Sequence, residues 1–376
     1  MKIDIVLGPF LSIPPRPTGA VERVWQDLAA QFTAKGHSVR LIGKHLGRSP
    51  LEGLQHVSVR GEERCGNLAV EILKDVRYAN RAAAKIVDAD IVVTNTISLP
   101  VVLNAKRRNG AAFKIVVNLA RMPKGHLFLY KNSDKIAVVS NAVLLEVERQ
   151  DRDAYGKSVV VENPVDCDIF NAEGREENRG EIRTILYTGR VCREKGLEFL
   201  IAAVKLLQTR DGHRYRLRIV GPYEREQGGD GTAYLDELKT QASELPVEFV
   251  GPIWDRRRLA DEYRSADIFI YPSIAEKGET FGVAPLEAMA CGAVTVVSNL
   301  ECFRQYLTHG INGLAARIVG NRDPGREIYQ LIRELETKTR YEALQKNGIE
   351  TARKFDNSTI AEKYLSEFRK LLNVER

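Results

Sequence analysis

Four charged residues in the second half of the chain have the types and placing to line a site for an anionic ligand. Glu279 and Glu287 stand with seven residues between them in Glu279-Thr-Phe-Gly282-Val-Ala-Pro-Leu-Glu287. The first reads as a loop residue and the second as part of the opening turn of a short helix, with Pro285 at the first helical position and Gly292 as the stop. A strand ending at Tyr271-Pro272-Ser273 feeds that loop. Strand, polar loop and helix N-terminus together make the usual anion site of an α/β sheet, where unpaired N–H groups and the helix dipole favour negative charge. Thr188-Gly189-Arg190-Val-Cys-Arg-Glu194-Lys195-Gly196 has the same setting, so Arg190 and Lys195 emerge at the mouth of a sheet. Arginine offers a planar fork of donors to phosphate oxygens and lysine a compact charge. Taken singly, each has a plainer reading: a basic turn is most often solvated surface, and a glutamate in a first turn is stabilised by the helix dipole. The two stretches gain weight from sharing one edge of one sheet.

The elements that would position them follow from the pattern. Short β-branched runs alternate with longer amphipathic stretches: strands at 3–7, 38–42, 57–59, 91–94, 114–118, 135–139 and 159–162, with helices near 20–35, 67–87, 100–108 and 142–151. The first helix sets Val21, Val24, Leu28 and Phe32 on one face at helical spacing. After Asn163-Pro164-Val165-Asp166 comes a polar tract, 171–183, which marks the change of domain. The alternation then restarts: strands at 184–187, 216–220, 247–250, 268–271 and 294–297, helices at 195–207, 233–242, 258–265 and the short one bearing Glu287. Strands separated by helices build parallel sheets covered on both faces. At 376 residues two domains are expected. We place them at 1–165 and 166–356, with a last helix in 357–376 whose apolar Ile360, Tyr364 and Phe368 need cover.

Composition narrows the function classes. A mean hydropathy of −0.26 and 28% charged residues fit a soluble globular protein. The net charge of +6 suits anionic substrates but lacks the dense basic stripe of a nucleic-acid binder. Lys106, Arg107, Arg108 and Lys114 form a basic cluster, read as a solvated helix face or as a weak peripheral contact with an acidic membrane surface. Five cysteines without a Cys-x-x-Cys pair argue for reduced thiols in the cytoplasm, and the six histidines show no metal-ligand spacing. The 3–7 run carries Asp4, which makes it a buried strand and not a signal sequence, and no run approaches a membrane span. Gly156-Lys157-Ser158 ends like a P-loop, but Asp151 occupies the position of its first glycine.

In order along the chain, Thr18-Gly19-Ala20-Val21-Glu22-Arg23, Lys35-Gly36-His37, Val138-Val139-Ser140-Asn141, Asn163-Pro164-Val165-Asp166, Gly189-Arg190…Lys195-Gly196, Pro272-Ser273, Glu279…Phe281-Gly282…Leu286-Glu287-Ala288 and Gly310-Ile-Asn312-Gly313 make a set. On that set the chain resembles the family 4 retaining glycosyltransferases of GT-B architecture over nearly its whole length. The resemblance implies two Rossmann-like, doubly wound parallel-sheet domains facing across a cleft, with the last helix crossing back to the first. It implies that Arg190 and Lys195 hold the donor diphosphate, that Glu279 contacts the transferred sugar, and that Glu287 binds the ribose hydroxyls. The backbone at Phe281, Gly282 and Val283 would face the phosphates, Ile253 the base, and Gly19 would allow close approach of main chain to the β-phosphate. Where the family commonly has a histidine this chain has Ala120, which leaves Arg121 and His126 as acceptor-side candidates. Gln305, Val294 and Ala20 also depart from the pattern, at positions that bear on donor sugar and acceptor.

The expected activity is transfer, with retention, of a sugar from a UDP- or GDP-linked donor to a glycan, lipid-linked or other sugar-bearing acceptor in polysaccharide or cell-surface glycan synthesis. No metal and no cofactor is expected, because Arg190 and Lys195 supply the positive charge. Rival readings are a GT-B nucleotide-sugar epimerase or hydrolase, and a non-catalytic donor-binding subunit. The expected location is the cytoplasm, at most peripheral to the inner face of the membrane.

Overall fold

The computed structural model describes residues 1–13, 19–45, 53–176, 182–211 and 214–373. Thr18 and residues 177–181 of the polar tract lie outside them. The chain divides into two compact units, Met1–Pro164 with Asn357–Arg376, and Val165–Asp356.

The first unit runs β1 (Lys2–Val6), β2 (Ser12–Ile13), α1 (Ala20–Ala34), β3 (Ser38–His45), β4 (Gln55–Ser58), α2 (Leu68–Ala83), β5 (Ile91–Thr94), α3 (Leu99–Arg108), β6 (Lys114–Leu119), β7 (Lys135–Val138), α4 (Asn141–Gln150), α5 (Arg152–Gly156) and β8 (Ser158–Val160). Its sheet is parallel, in the order β2-β3-β1-β5-β6-β7-β8 with β4 beside β3. Asp4 is tolerated in an interior strand because its register partner is Arg40, whose Nε and Nη2 donate to both carboxylate oxygens at 2.7 and 2.5 Å. A buried acid is tolerable only when paired in this way.

The final helix, α12 (Asn357–Leu371), belongs to this unit. Its apolar face lies on α1: the Trp25 and Tyr364 rings are 5.0 Å apart and Phe32 and Phe368 5.9 Å apart. Asn118 receives the Trp25 indole N–H at 3.3 Å and donates to the Tyr364 hydroxyl at 3.2 Å. Each large ring so buried is worth roughly 1.5–3 kcal/mol, which is why a helix remote in sequence is held here.

The second unit runs β9 (Arg183–Thr188), α6 (Leu197–Asp211), β10 (Tyr215–Val220), α7 (Thr232–Gln241), β11 (Val247–Gly251), α8 (Arg256–Ser265), β12 (Ile268–Tyr271), α9 (Val283–Ala290), β13 (Val294–Ser298), β14 (Leu314–Ala316), α10 (Pro324–Glu334) and α11 (Lys338–Arg353). Its parallel sheet has the order β11-β10-β9-β12-β13-β14. Successive strands are laid outward from β9 in one direction and from β12 in the other. The loops after β9 and β12 therefore part at the reversal, and a doubly wound sheet binds its ligand there.

Several details differ from the sequence reading. The division falls after Pro164, one residue before the expected boundary, and residues 171–176 of the polar tract are tied to the second unit. Arg175 donates to the carbonyls of Arg264 and Cys291, and Arg264 to that of Asn171. Lys195 is not the first residue of a helix: Arg193–Lys195 is a single 3₁₀ turn, Gly196 has φ 65, and α6 starts at Leu197. Helix α9 starts at Val283, which makes Pro285 its third residue and places Glu287 one turn in from the N-terminus. Proline is still harmless there, because first-turn N–H groups have no intrahelical partner. Strand β14 and helices α10 and α11 extend the second unit beyond the alternation read from sequence.

Candidate donor-binding site

The loop after β9 presents Arg190 and Lys195 by two different means. Tyr187, the penultimate residue of β9, donates its hydroxyl to the Arg190 carbonyl at 2.8 Å and fixes the turn. The Arg190 guanidinium donates through Nη1 to the Gly228 carbonyl at 2.9 Å and through Nη2 to the Glu194 carboxylate at 2.6 Å. Burial works against its charge, but the neighbouring Cys192 and Glu194 outweigh that and raise its pKa. Lys195 is 4% exposed. Its ammonium donates to Glu279 Oε2 at 2.6 Å and lies 5.1 Å from the centre of the Tyr271 ring. The Tyr271 ring in turn stacks on those of Tyr187 and Phe269, at 5.7 and 6.2 Å. Burial, reinforced by the Glu279 charge, pushes the Tyr271 phenol well above its ordinary pKa. The phenol therefore stays protonated and offers a neutral platform to the cation.

The loop after β12 is locked onto the first loop. Ile274 N–H and the Ser273 hydroxyl both donate to the Glu194 carbonyl, at 2.9 and 3.2 Å. Glu279 N–H donates to the Ala275 carbonyl at 2.8 Å, and its carboxylate is 8% exposed as a residue. Phe281 turns into the core against Tyr306 and Phe355, so it can meet a ligand only through its backbone. Gly282 caps α9 with φ 77. A Cβ there would stand 2.6 Å from Phe303 Cε1, and Tyr306 donates its hydroxyl to the Gly282 carbonyl at 2.9 Å. Glycine thus lets α9 start at Val283, four residues after Glu279.

Glu287 Oε2 accepts from the Tyr263 hydroxyl at 2.9 Å, and that hydroxyl lies 2.6 Å from Thr188 Oγ1. The chain Thr188–Tyr263–Glu287 ties α9 to the end of β9. Ile253 lies just past β11, half-buried, at the same carboxyl edge. Arg190, Lys195, Glu279, Gly282, Val283 and Glu287 are thus brought to the point where the strand order reverses, with Ile253 at the far strand of that edge. Sequence reasoning gave no role to Glu194, Tyr263 or Tyr271. Glu194 sat within the basic turn and was legible as a charge partner, whereas the two tyrosines carry no spacing signal.

In the first unit, Gly19 caps α1 with φ 146, and Glu22 in the first turn is 5% exposed. A Cβ on Gly8, after β1, would meet Glu22 Oε1 at 3.9 Å. Burial raises the Glu22 pKa, countered in part by the charges of Arg121 and Arg64. Arg121 is exposed just past β6. His126 is occupied locally: its Nδ1 accepts from Lys124 N–H at 3.3 Å, its ring meets Tyr130 edge-on at 5.6 Å, and burial lowers its pKa. A raised carboxyl pKa means the folded unit holds the proton more tightly than the unfolded chain. Its stability therefore declines as pH rises from about 4.5 through the raised value. Glu22→Gln is expected to be more stable than the parent at neutral pH, with a flatter pH dependence of urea unfolding. A variant less stable at neutral pH would show the carboxylate to be held by contacts. A carboxylate kept at a cost in stability is a mark of function.

Of the basic cluster, Lys106 donates to the Ala83 carbonyl at 2.9 Å and to that of Ile86, and Arg107 and Lys114 lie 2.8 and 3.7 Å from Asp134. These three cations cap α2 and fix a strand start. The cysteines are free thiols; burial pushes that of Cys192, beside Arg190, up to about 11. Among the described residues no group of three or more His, Cys, Asp and Glu could hold a metal ion, and no helix is long and apolar enough to cross a membrane.

Residues 169–353, nearly the whole second unit, match the sequence family described as Glycosyl transferases group 1. An uncharacterized glycosyltransferase of Methanocaldococcus jannaschii is 35% identical over 133 residues, 35% of this chain and 31% of that protein. A phosphatidyl-myo-inositol mannosyltransferase of Mycolicibacterium smegmatis is 33% identical over 187 residues, 46% of this chain and 45% of the relative. The chain thus spans about a third to a half of the curated relatives it matches. Over the whole fold, a glycosyltransferase from Rickettsia africae superposes with a TM-score of 0.78 at 19% identity, covering 100% of this chain and 99% of that one. Anabaena Alr3699/HepE, solved with UDP and glucose, gives 0.72 at 18% identity and covers 98% of this chain and 99% of its own. The fold is that of the GT-B glycosyltransferases.

Proposed function

We propose that this chain, with its GT-B fold and a second unit of group 1 type, is a retaining, metal-independent glycosyltransferase of family 4. Its donor is a sugar linked to UDP or GDP. The observation that carries the reading is the buried Lys195–Glu279 pair beside Arg190, at the open N-terminus of α9 and the reversal point of the second sheet. A nucleoside diphosphate leaves as an anion, so the barrier falls when fixed positive groups meet the growing charge. Arg190, Lys195 and the first N–H groups of α9 are those groups. Glu279, held by Lys195 as an acceptor-only carboxylate, is suited to the hydroxyls of the transferred sugar. Glu287, oriented by Tyr263, is suited to a ribose diol. The solved neighbours that contain UDP or UDP-glucose support the donor class.

For the acceptor we assign the carboxyl edge of the first sheet, where Glu22 and Arg121 gather and His126 lies close in sequence. A hydroxyl-rich molecule suits those groups, whether a glycan, a lipid-linked sugar or a polyol, in cell-surface or polysaccharide synthesis on the cytoplasmic side. Purified protein incubated with UDP- and GDP-sugars and such acceptors should release the nucleoside diphosphate. Turnover should be unchanged by EDTA, and the product anomer should match that of the donor. At ~100 times Kd the cognate nucleotide should add roughly 2.7 kcal/mol of stability. Absence of both release and stabilisation across the panel would refute the proposal.

A further inference from the structure

The two cations of the site are not waiting uncompensated. Arg190 Nη2 and Glu194 Oε1 are 2.6 Å apart, and the same Glu194 oxygen lies 3.9 Å from Lys195 Nζ. Lys195 is then met on its other side by Glu279 at 2.6 Å. Arg190, Glu194, Lys195 and Glu279 thus form a row of alternating charges that sums to zero. One carboxylate oxygen of Glu194 stands between two cations, the position a bridging phosphate oxygen would take. We propose that Glu194 is a displaceable occupant of the diphosphate seat, an internal stand-in for the ligand that must swing out when the nucleoside diphosphate enters and returns when it leaves.

Exposure decides which carboxylate yields. The Lys195 and Glu279 side chains are 5% and 10% exposed, and separating a buried pair strands a charge away from water. The Arg190 and Glu194 side chains are 45% and 40% exposed, and an exposed pair contributes little net stability. The Glu194 backbone need not move, because its carbonyl is held by Ile274 N–H and Ser273 Oγ. Its other carboxylate oxygen lies against Gly278, where a Cβ would crowd it at 3.3 Å, and the side chain, 40% exposed, turns out toward solvent. A diphosphate brings more negative charge and more acceptor oxygens than one carboxylate and displaces it. A monophosphate competes on nearly equal terms. Glu194 is therefore a positioning residue that favours diphosphates over monophosphates and speeds product release.

This inference rests on the diphosphate reading, and its test separates the two. UDP, GDP, UMP and inorganic pyrophosphate are titrated calorimetrically into the parent, Glu194→Gln and Glu194→Ala, with melting temperatures recorded. Both variants should fold as the parent does, bind UDP or GDP and pyrophosphate about tenfold more tightly, and discriminate less against UMP. In turnover, KM and kcat should fall together as product release slows, and Glu194→Asp should behave more like the parent. Folded variants that bind diphosphates no more tightly than the parent would overturn the inference. A parent that binds no diphosphate at all would overturn the reading of the site beneath it.

Discussion

Lys195→Ala should abolish detectable sugar transfer, a loss of at least ~10³-fold, and should also lower the stability of the second unit by about 3–5 kcal/mol. Both effects have one origin. Lys195 and Glu279 are buried with their charged atoms 2.6 Å apart, and removing the ammonium leaves a carboxylate unsolvated and unpaired. In the proposed mechanism the kinetic loss arises because the same ammonium meets the negative charge growing on the diphosphate. The two can be separated. Lys195→Met combined with Glu279→Leu removes both charges, and its stability should recover to within about 1.5 kcal/mol of the parent while activity stays lost. Arg190→Ala gives the converse. Its pair with Glu194 is half-exposed, so stability should change by no more than about 1 kcal/mol, yet transfer should fall as far as in Lys195→Ala. Urea unfolding and nucleoside diphosphate release read the two properties independently. Near-parental turnover in either single variant would remove the proposed charge stabilisation.

Gly221→Ala should be the most damaging glycine-to-alanine change among the described residues. Gly221 follows β10 with φ 152, and a Cβ built on it falls 1.8 Å from the carbonyl oxygen of Gly189. That oxygen belongs to backbone held by the Gly189 N–H bond to the Val220 carbonyl at 3.0 Å, so it cannot rotate away cheaply. Gly221 is itself held by its N–H bond to the Gly251 carbonyl at 2.9 Å. Accommodation must therefore push the Gly189 peptide outward and carry Arg190, the next residue, off its seat. Overpacking and backbone strain together suggest a loss of about 3 kcal/mol or more. Nucleotide affinity should drop with it, although residue 221 touches none of the charged groups. Unchanged unfolding midpoints and unchanged nucleotide binding would show that the two loops can separate without consequence.

Much of this was legible before the fold. Parallel sheets in two units follow from β-branched runs spaced by amphipathic stretches, and the four charged residues that matter stand in two short motifs next to strand ends. Local pattern sufficed because strand, turn and helix start are set by residues adjacent in sequence. It failed where geometry within a turn decides the outcome. The αL conformation of Gly196 delays α6 and leaves Lys195 in a tight turn, and α9 begins two residues ahead of Pro285, so Glu287 acts from the second turn. The fate of the basic cluster was also beyond the pattern, since the carbonyls and the carboxylate that use it come from other elements.

The sequence by itself determined which elements form, that the charged residues sit at strand ends, and that anionic ligands suit them. Only the tertiary structure decided who meets whom. Lys195 and Glu279 are 84 residues apart and become partners because β9 lies beside β12. Asn118 and Tyr364 are 246 apart and meet because α12 returns to α1. Strand order and the docking of a distant helix are settled by burial summed over the whole unit. No local spacing records such a sum, so the pairing that neutralises the site, with Glu194 between its two cations, becomes visible only in the folded chain.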